Sequence, residues 1–126
     1  MELQIIFQRL KKIMDGYAPP LTVTTSTESR YDLWSKKKVT WLGRKYPEFY
    51  FGGLVLKPKY VAFYLMPVYI FPELLEQMPE HLEKCMTGKS CFHFKTADEK
   101  IIIDLENLIK SSFAIYKKKD FLVSSE

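Results

Sequence analysis

The chain has 126 residues, 47% of them hydrophobic and 27% charged, which fits one globular domain and excludes disorder. Two cysteines cannot make a secreted-type disulfide framework, and a formal net charge of +4 favours an anionic partner only weakly. The aromatic share, 15%, is high: nine Phe, eight Tyr and two Trp supply a large apolar payload with many hydroxyls that need partners.

In chain order, Leu3, Ile6, Phe7, Leu10 and Met14 recur at helical spacing and predict an amphipathic helix ending near Gly16, before Pro19-Pro20. Met1-Glu2-Leu3-Gln4 lacks the basic start of a signal peptide, so free thiols in a cytoplasmic protein are expected. The β-branched stretch Leu21 to Thr27 reads as an edge strand. Lys36 to Leu42 holds a short strand with Val39 and Trp41 on one face, and Tyr46-Pro47 marks a turn.

Phe49 to Leu56 and Tyr60 to Met66 flank the turn Lys57-Pro58-Lys59 and predict a central antiparallel hairpin. Gly52-Gly53 predicts a bulge or bend in its first strand. In the second strand Val61, Phe63 and Leu65 share one face and Tyr60, Ala62, Tyr64 and Met66 the other. The tyrosine face then lines a pocket, an interface or a second core. The apolar run from Tyr60 to Phe71 is broken by Pro67, so no membrane partner is expected.

Pro72 and Pro79 sit where short helices begin, with Leu74, Leu75 and Met78 on one and Leu82, Cys85 and Met86 on the other. Ser90 to Phe94 reads as a strand with Phe92 and Phe94 on one face. Thr96 and Glu99 have capping-box spacing. They would open a final helix with a core stripe of Ile101, Ile102, Leu105, Leu108, Ile109, Phe113 and Tyr116 and with Lys117-Lys118-Lys119 at its end. The expected fold is α+β: an antiparallel sheet of five to six strands packed by N- and C-terminal helices in a two-layer sandwich, one domain over residues 1–126.

Several candidate chemistries follow. His81, Cys85, Cys91 and His93 fall in one window and are the only candidates for an N/S metal site, but their spacing fits no zinc motif and Cys85 falls on the core stripe, so no metal or cofactor is expected. Gly88-Lys89-Ser90 resembles the end of a phosphate-binding loop, yet Glu83 stands where the first glycine is needed. Glu73, Glu76, Glu80 and Glu83 alternate with apolar residues as a solvated helix face does. Lys36, Lys37, Lys38, Arg44 and Lys45 around Trp41, with Lys57 and Lys59 nearby, carry no standard nucleic-acid signature, which ranks nucleic acid below a small-molecule or protein partner. The remaining site is an aromatic cleft of Trp41, Tyr50, Tyr60 and Tyr64, with His93 beside it; a homodimer contact is the competing use of the same surface. No orienting acid turns Ser90, Cys91 and His93 into a nucleophile system, and no catalytic residue is assigned.

Tyr60-Val61-Ala62-Phe63-Tyr64-Leu65, Pro72-Glu73-Leu74-Leu75, Gly88-Lys89-Ser90-Cys91-Phe92-His93-Phe94-Lys95 and the closing Tyr116-Lys117-Lys118 together resemble the YdhG-like domain-of-unknown-function family, over residues 28–118. The resemblance implies a small bacterial cytosolic α+β domain, and some relatives are described as frataxin-like iron chaperones. Such iron binding uses an acidic ridge on the first helix, where this chain has only Glu2 and Asp15 against Arg9, Lys11 and Lys12. The leading expectation is a small binding or interaction domain without a catalytic site; an iron chaperone and a nucleic-acid or small-molecule binder are the alternatives.

Overall fold

The computed structural model describes residues 1–124. Helix α1 (Leu3–Asp15) leads into strands β1 (Thr22–Ser26) and β2 (Arg30–Ser35), a small hairpin β3 (Val39–Trp41) and β4 (Arg44–Tyr46), and the long strands β5 (Phe49–Leu56) and β6 (Val61–Leu65). Three short helices follow, α2 (Met66–Ile70), α3 (Glu73–Glu76) and α4 (Glu80–Glu83), then β7 (Cys91–Phe94) and the closing helix α5 (Glu99–Lys118). The main sheet has the order β1-β2-β5-β6-β7, antiparallel throughout, and β3-β4 forms a separate two-stranded sheet. The α+β class with terminal helices on an antiparallel sheet is therefore the fold of the chain.

The helices bind one face of that sheet for a reason legible in the pattern. Val61, Phe63 and Leu65 alternate along β6 and are fully buried, as are Phe92 and Phe94 opposite them on β7. Ile6, Phe7, Leu10 and Met14 of α1 and Leu105, Ile109 and Tyr116 of α5 complete the layer. Each such side chain withdrawn from water stabilises the fold by about 1.5–3 kcal/mol.

A bulge in β5 sharpens the layering. Leu33 pairs with Gly52 but Trp34 pairs with Tyr50, which leaves Phe51 as the extra residue. Phe51 and Gly52 consequently both turn toward the helices: the Phe51 ring lies 5.4 Å from that of Tyr116, and a Cβ on Gly52 would stand 3.3 Å from the Met14 methyl. That Cβ would also come within 2.6 Å of the Tyr64 carbonyl oxygen, so the close approach of β6 requires glycine here.

Two local expectations are corrected. The strand predicted to run from Tyr60 to Met66 is shorter, because Met66 opens α2 with Pro67 in its first turn, where proline costs no hydrogen bond. The capping-box spacing of Thr96 and Glu99 is not used. Asp98 caps α5 by accepting from the Ile101 amide at 2.9 Å, and Glu99 instead accepts two bonds from Arg9 of α1, at 2.7 and 2.8 Å. The two edges of the sheet also differ. Beyond β7, residues 85–87 add backbone bonds, Thr87 N–H to the Cys91 carbonyl and Cys85 carbonyl from the His93 N–H, each 2.9 Å. No strand pairs beyond β1 among the described residues.

Candidate ligand-binding face of the sheet

Strand alternation leaves a second set of side chains on the face away from the helices. Arg30, Asp32 and Trp34 of β2, Tyr50 and Gly53 of β5, Ala62 and Tyr64 of β6, and Cys91 and His93 of β7 follow from the register as neighbours there. Their polar and ring contacts are with one another rather than with a helix.

At the centre is a nearly buried carboxylate. Asp32 is 6% exposed and would be unstable alone, since a charge out of water needs compensating donors. The Tyr50 hydroxyl donates to Asp32 Oδ1 at 3.0 Å and Arg30 Nε donates to Oδ2 at 2.9 Å. The guanidinium is held charged by the bond to Asp32, and the Tyr50 phenol is pushed up, first by burial and then by the Asp32 charge. Gly53 makes the arrangement fit. A Cβ there would lie under 3.0 Å from Asp32 Oδ1, the Tyr50 hydroxyl and the Tyr31 carbonyl oxygen. The second glycine of the pair thus yields its side-chain volume to the polar network, while the first yields it to β6.

Aromatic rings surround this centre. Trp34 meets Tyr50 edge-on, with centroids 5.1 Å apart and planes at 66°. Tyr60, just before β6, stacks on His93 at 4.2 Å and 27°. Tyr64 lies opposite Cys91, and burial, followed by the neighbouring thiol, pushes its phenol up. Trp34, Tyr50, Tyr60, Tyr64 and His93 are all half-buried, so the face presents ring surface to solvent.

The residues singled out in the sequence are distributed as follows. Tyr50, Tyr60, Tyr64 and His93 share this face. Trp41 does not join them: it packs on Tyr46, Phe49 and Tyr69, and Phe49 points to the opposite side of β5 from Tyr50. The His/Cys window is divided. His81 Nε2 pairs with Asp104 Oδ2 of α5 at 2.5 Å, and the Cys85 thiol lies 3.6 Å from the His81 carbonyl oxygen. Cys91 and His93 stand on the open face. Among the described residues no group of three or more His, Cys, Asp or Glu side chains is placed to hold a metal. Glu73, Glu76, Glu80 and Glu83 are exposed on α3 and α4. Beside them a cavity of about 150 Å³ opens between α3, α4 and α5, lined by Gln77, Met78, Leu82, Asp104, Asn107 and Ser111.

Sequence reading missed Arg30, Asp32 and Trp34. Their signal was the two-residue period of Arg30 to Ser35, in which buried Tyr31 and Leu33 alternate with them. Compared with known proteins, the chain matches no family model, no curated protein and no solved structure.

Proposed function

We propose that the chain is a binding domain, not a catalyst, and that its ligand lies flat on the open face of the sheet. One observation carries the reading: half of each central strand's side chains face away from both long helices, and there the chain places rings and a satisfied charge network. A surface left to water alone is cheaply built from Thr, Lys and Glu, as β1 is with Thr22, Thr24 and Thr25. Four half-buried aromatic side chains and a histidine instead suit recognition of a planar ligand, for which rigid amphipathic rings lose little entropy.

Cys91 and His93, the nearest approach to a catalytic pair, occupy alternate positions of one strand, about 7 Å apart, and His93 is engaged by Tyr60. The reading keeps the YdhG-like resemblance and a cytoplasmic setting as parts of the proposal; no helix among the described residues is long and apolar enough to cross a membrane. An iron chaperone draws no support from α1, whose single acid, Asp15, accepts a hydrogen bond from the Tyr31 hydroxyl.

Titration with anilinonaphthalene sulfonate, an anionic aromatic probe, tests the site. In nitrogen-labelled protein the amide shifts should cluster at Trp34, Gly53, Tyr64 and His93, and Trp34→Ala should weaken them. Shifts confined to the α3–α5 cavity, or an unaltered response in Trp34→Ala, would place binding elsewhere and end the proposal.

A further inference from the structure

Charge is divided unevenly along the chain. Residues 21–67, which supply every strand but β7, hold eight Lys and Arg against three Asp and Glu; the remainder holds eleven against twelve. Of those three acids, Asp32 is compensated by Arg30, Glu48 is paired with Lys36 at 2.6 Å, and Glu28 is exposed in the turn before β2, away from the centre of the face. The open face therefore opposes a polyanion with no bare carboxylate at its centre.

Topology then gathers cations at one end of that face. Arg30 begins β2, Lys57 follows β5, Lys59 precedes β6 and Lys95 follows β7, and the register Arg30–Val55, Val55–Ala62, Ala62–His93 puts all four at the same end of the sheet. Arg30 keeps 58% of its side chain exposed despite its bond to Asp32. Lys57, Lys59 and Lys95 are exposed and make no ion pair among the described residues. From these cations the rings run diagonally across four strands, Tyr60 and His93 first, Tyr64 next, Tyr50 and Trp34 last. Three strand spacings and roughly five residues of strand make a track about 20 Å long.

Cations at one end and ring surface along a shallow sheet are what a single strand of nucleic acid requires: ion pairs for phosphates and rings for bases, with no deep pocket. A duplex, whose bases are already stacked, would use the cations and leave the rings idle. Building on the binding-face reading above, we infer that the open face takes single-stranded nucleic acid, phosphates at Arg30, Lys57, Lys59 and Lys95, bases stacked on the rings toward Trp34.

A fluorescein-labelled thymidine oligonucleotide of about 12 nucleotides, within the range of such sites, is the probe, read by anisotropy. Trp34→Ala or Tyr64→Ala should weaken binding about 5- to 150-fold, the value of one lost stack. Four phosphate contacts predict a slope of log K against log salt of about −3, and Lys57→Glu with Lys59→Glu should flatten it by about 1.4. The lysines lie in an exposed turn, so their exchange leaves folding intact. In a Trp41→Phe background, emission from Trp34 should fall on binding, which reads the stack without removing it. Lys110→Glu, on exposed helix surface, should change binding less than twofold. Absence of binding at low salt overturns the inference. So does an affinity indifferent to Trp34 and Tyr64, which would mark general electrostatic adsorption, or a self-associated protein whose open face is already covered. If the oligonucleotide fails while the sulfonate probe still maps to the face, the nucleic-acid assignment falls and the binding face stands.

Discussion

The two faces of the central sheet are made by the same strands, alternate residue by alternate residue, and they follow different rules. On the helix side Leu33, Phe51, Phe63, Leu65 and Phe92 are fully buried and apolar, and their partners come from remote parts of the chain. On the open side Asp32, Tyr50, Tyr64 and His93 find their partners within the sheet, at strand-neighbour distances. The helix side holds the fold through area removed from water. The open side adds fewer contacts to stability and instead keeps a set of functional groups in fixed relation. Burial alone would not separate the two, since Asp32, Gly53 and Ala62 on the open side are as buried as the core.

Mutation can break this contrast or sharpen it. The largest expected effect is on the helix side: Phe63→Ala, at a fully buried position, should cost about 3–5 kcal/mol in urea unfolding. A loss below about 1 kcal/mol would mean that the two faces do not differ in the way described. Gly53→Ala should come next, at about 1–3 kcal/mol, because its Cβ would lie under 3.0 Å from the Tyr31 carbonyl oxygen, the Asp32 carboxylate and the Tyr50 hydroxyl, so backbone and polar network must both shift. Near-neutrality there would show that the polar network is loose. Tyr50→Phe should cost least, about 1–2 kcal/mol, the bond to the Asp32 carboxylate.

The same variant reports on pH. The folded Tyr50 phenol titrates above its unfolded value of about 10, so the folded state favours the protonated form. The stability this confers is complete below about pH 10 and is lost as pH rises toward the folded value. Tyr50→Phe should therefore flatten the alkaline loss of stability, though not abolish it, because burial also raises Tyr116 and Tyr31. An alkaline limb identical to that of the native protein would contradict the burial of the Tyr50 hydroxyl.

The helix side was readable from sequence because its signal is periodic and strong. The stripes of α1 and α5 and the alternation of Val61, Phe63 and Leu65 predict the core and the elements that carry it. The glycine pair also predicted an irregularity in β5, and the bulge falls at Phe51, adjacent to it. The open side was less legible. Tyr60 and Tyr64 were visible as an unassigned face of β6, but Trp41 was grouped with them because it lies on a strand and is aromatic. Its packing is decided by where the β3–β4 hairpin folds, which no local pattern encodes. Trp34 is harder to read, because Arg30 and Asp32 place two charges within three residues of the strand that carries it. Only pairing to β5, which brings Tyr50 and Gly53 across from them, turns those charges into strand residues. The His/Cys window failed as a unit for a similar reason: a helix and a strand close in sequence present their side chains to different layers.

The unequal edges of the sheet have a consequence for growth. At β7 the Cys91 carbonyl and the His93 N–H are already taken by residues 85–87, whereas β1, five residues with a register break between Val23 and Thr25, has no strand on its outer side among the described residues. A sheet that can accept a neighbour on one margin only cannot propagate. Edge-to-edge joining through β1 ends at two copies related by a twofold axis, a closed ten-stranded sheet, and the polymer that open margins invite has no second point of attachment.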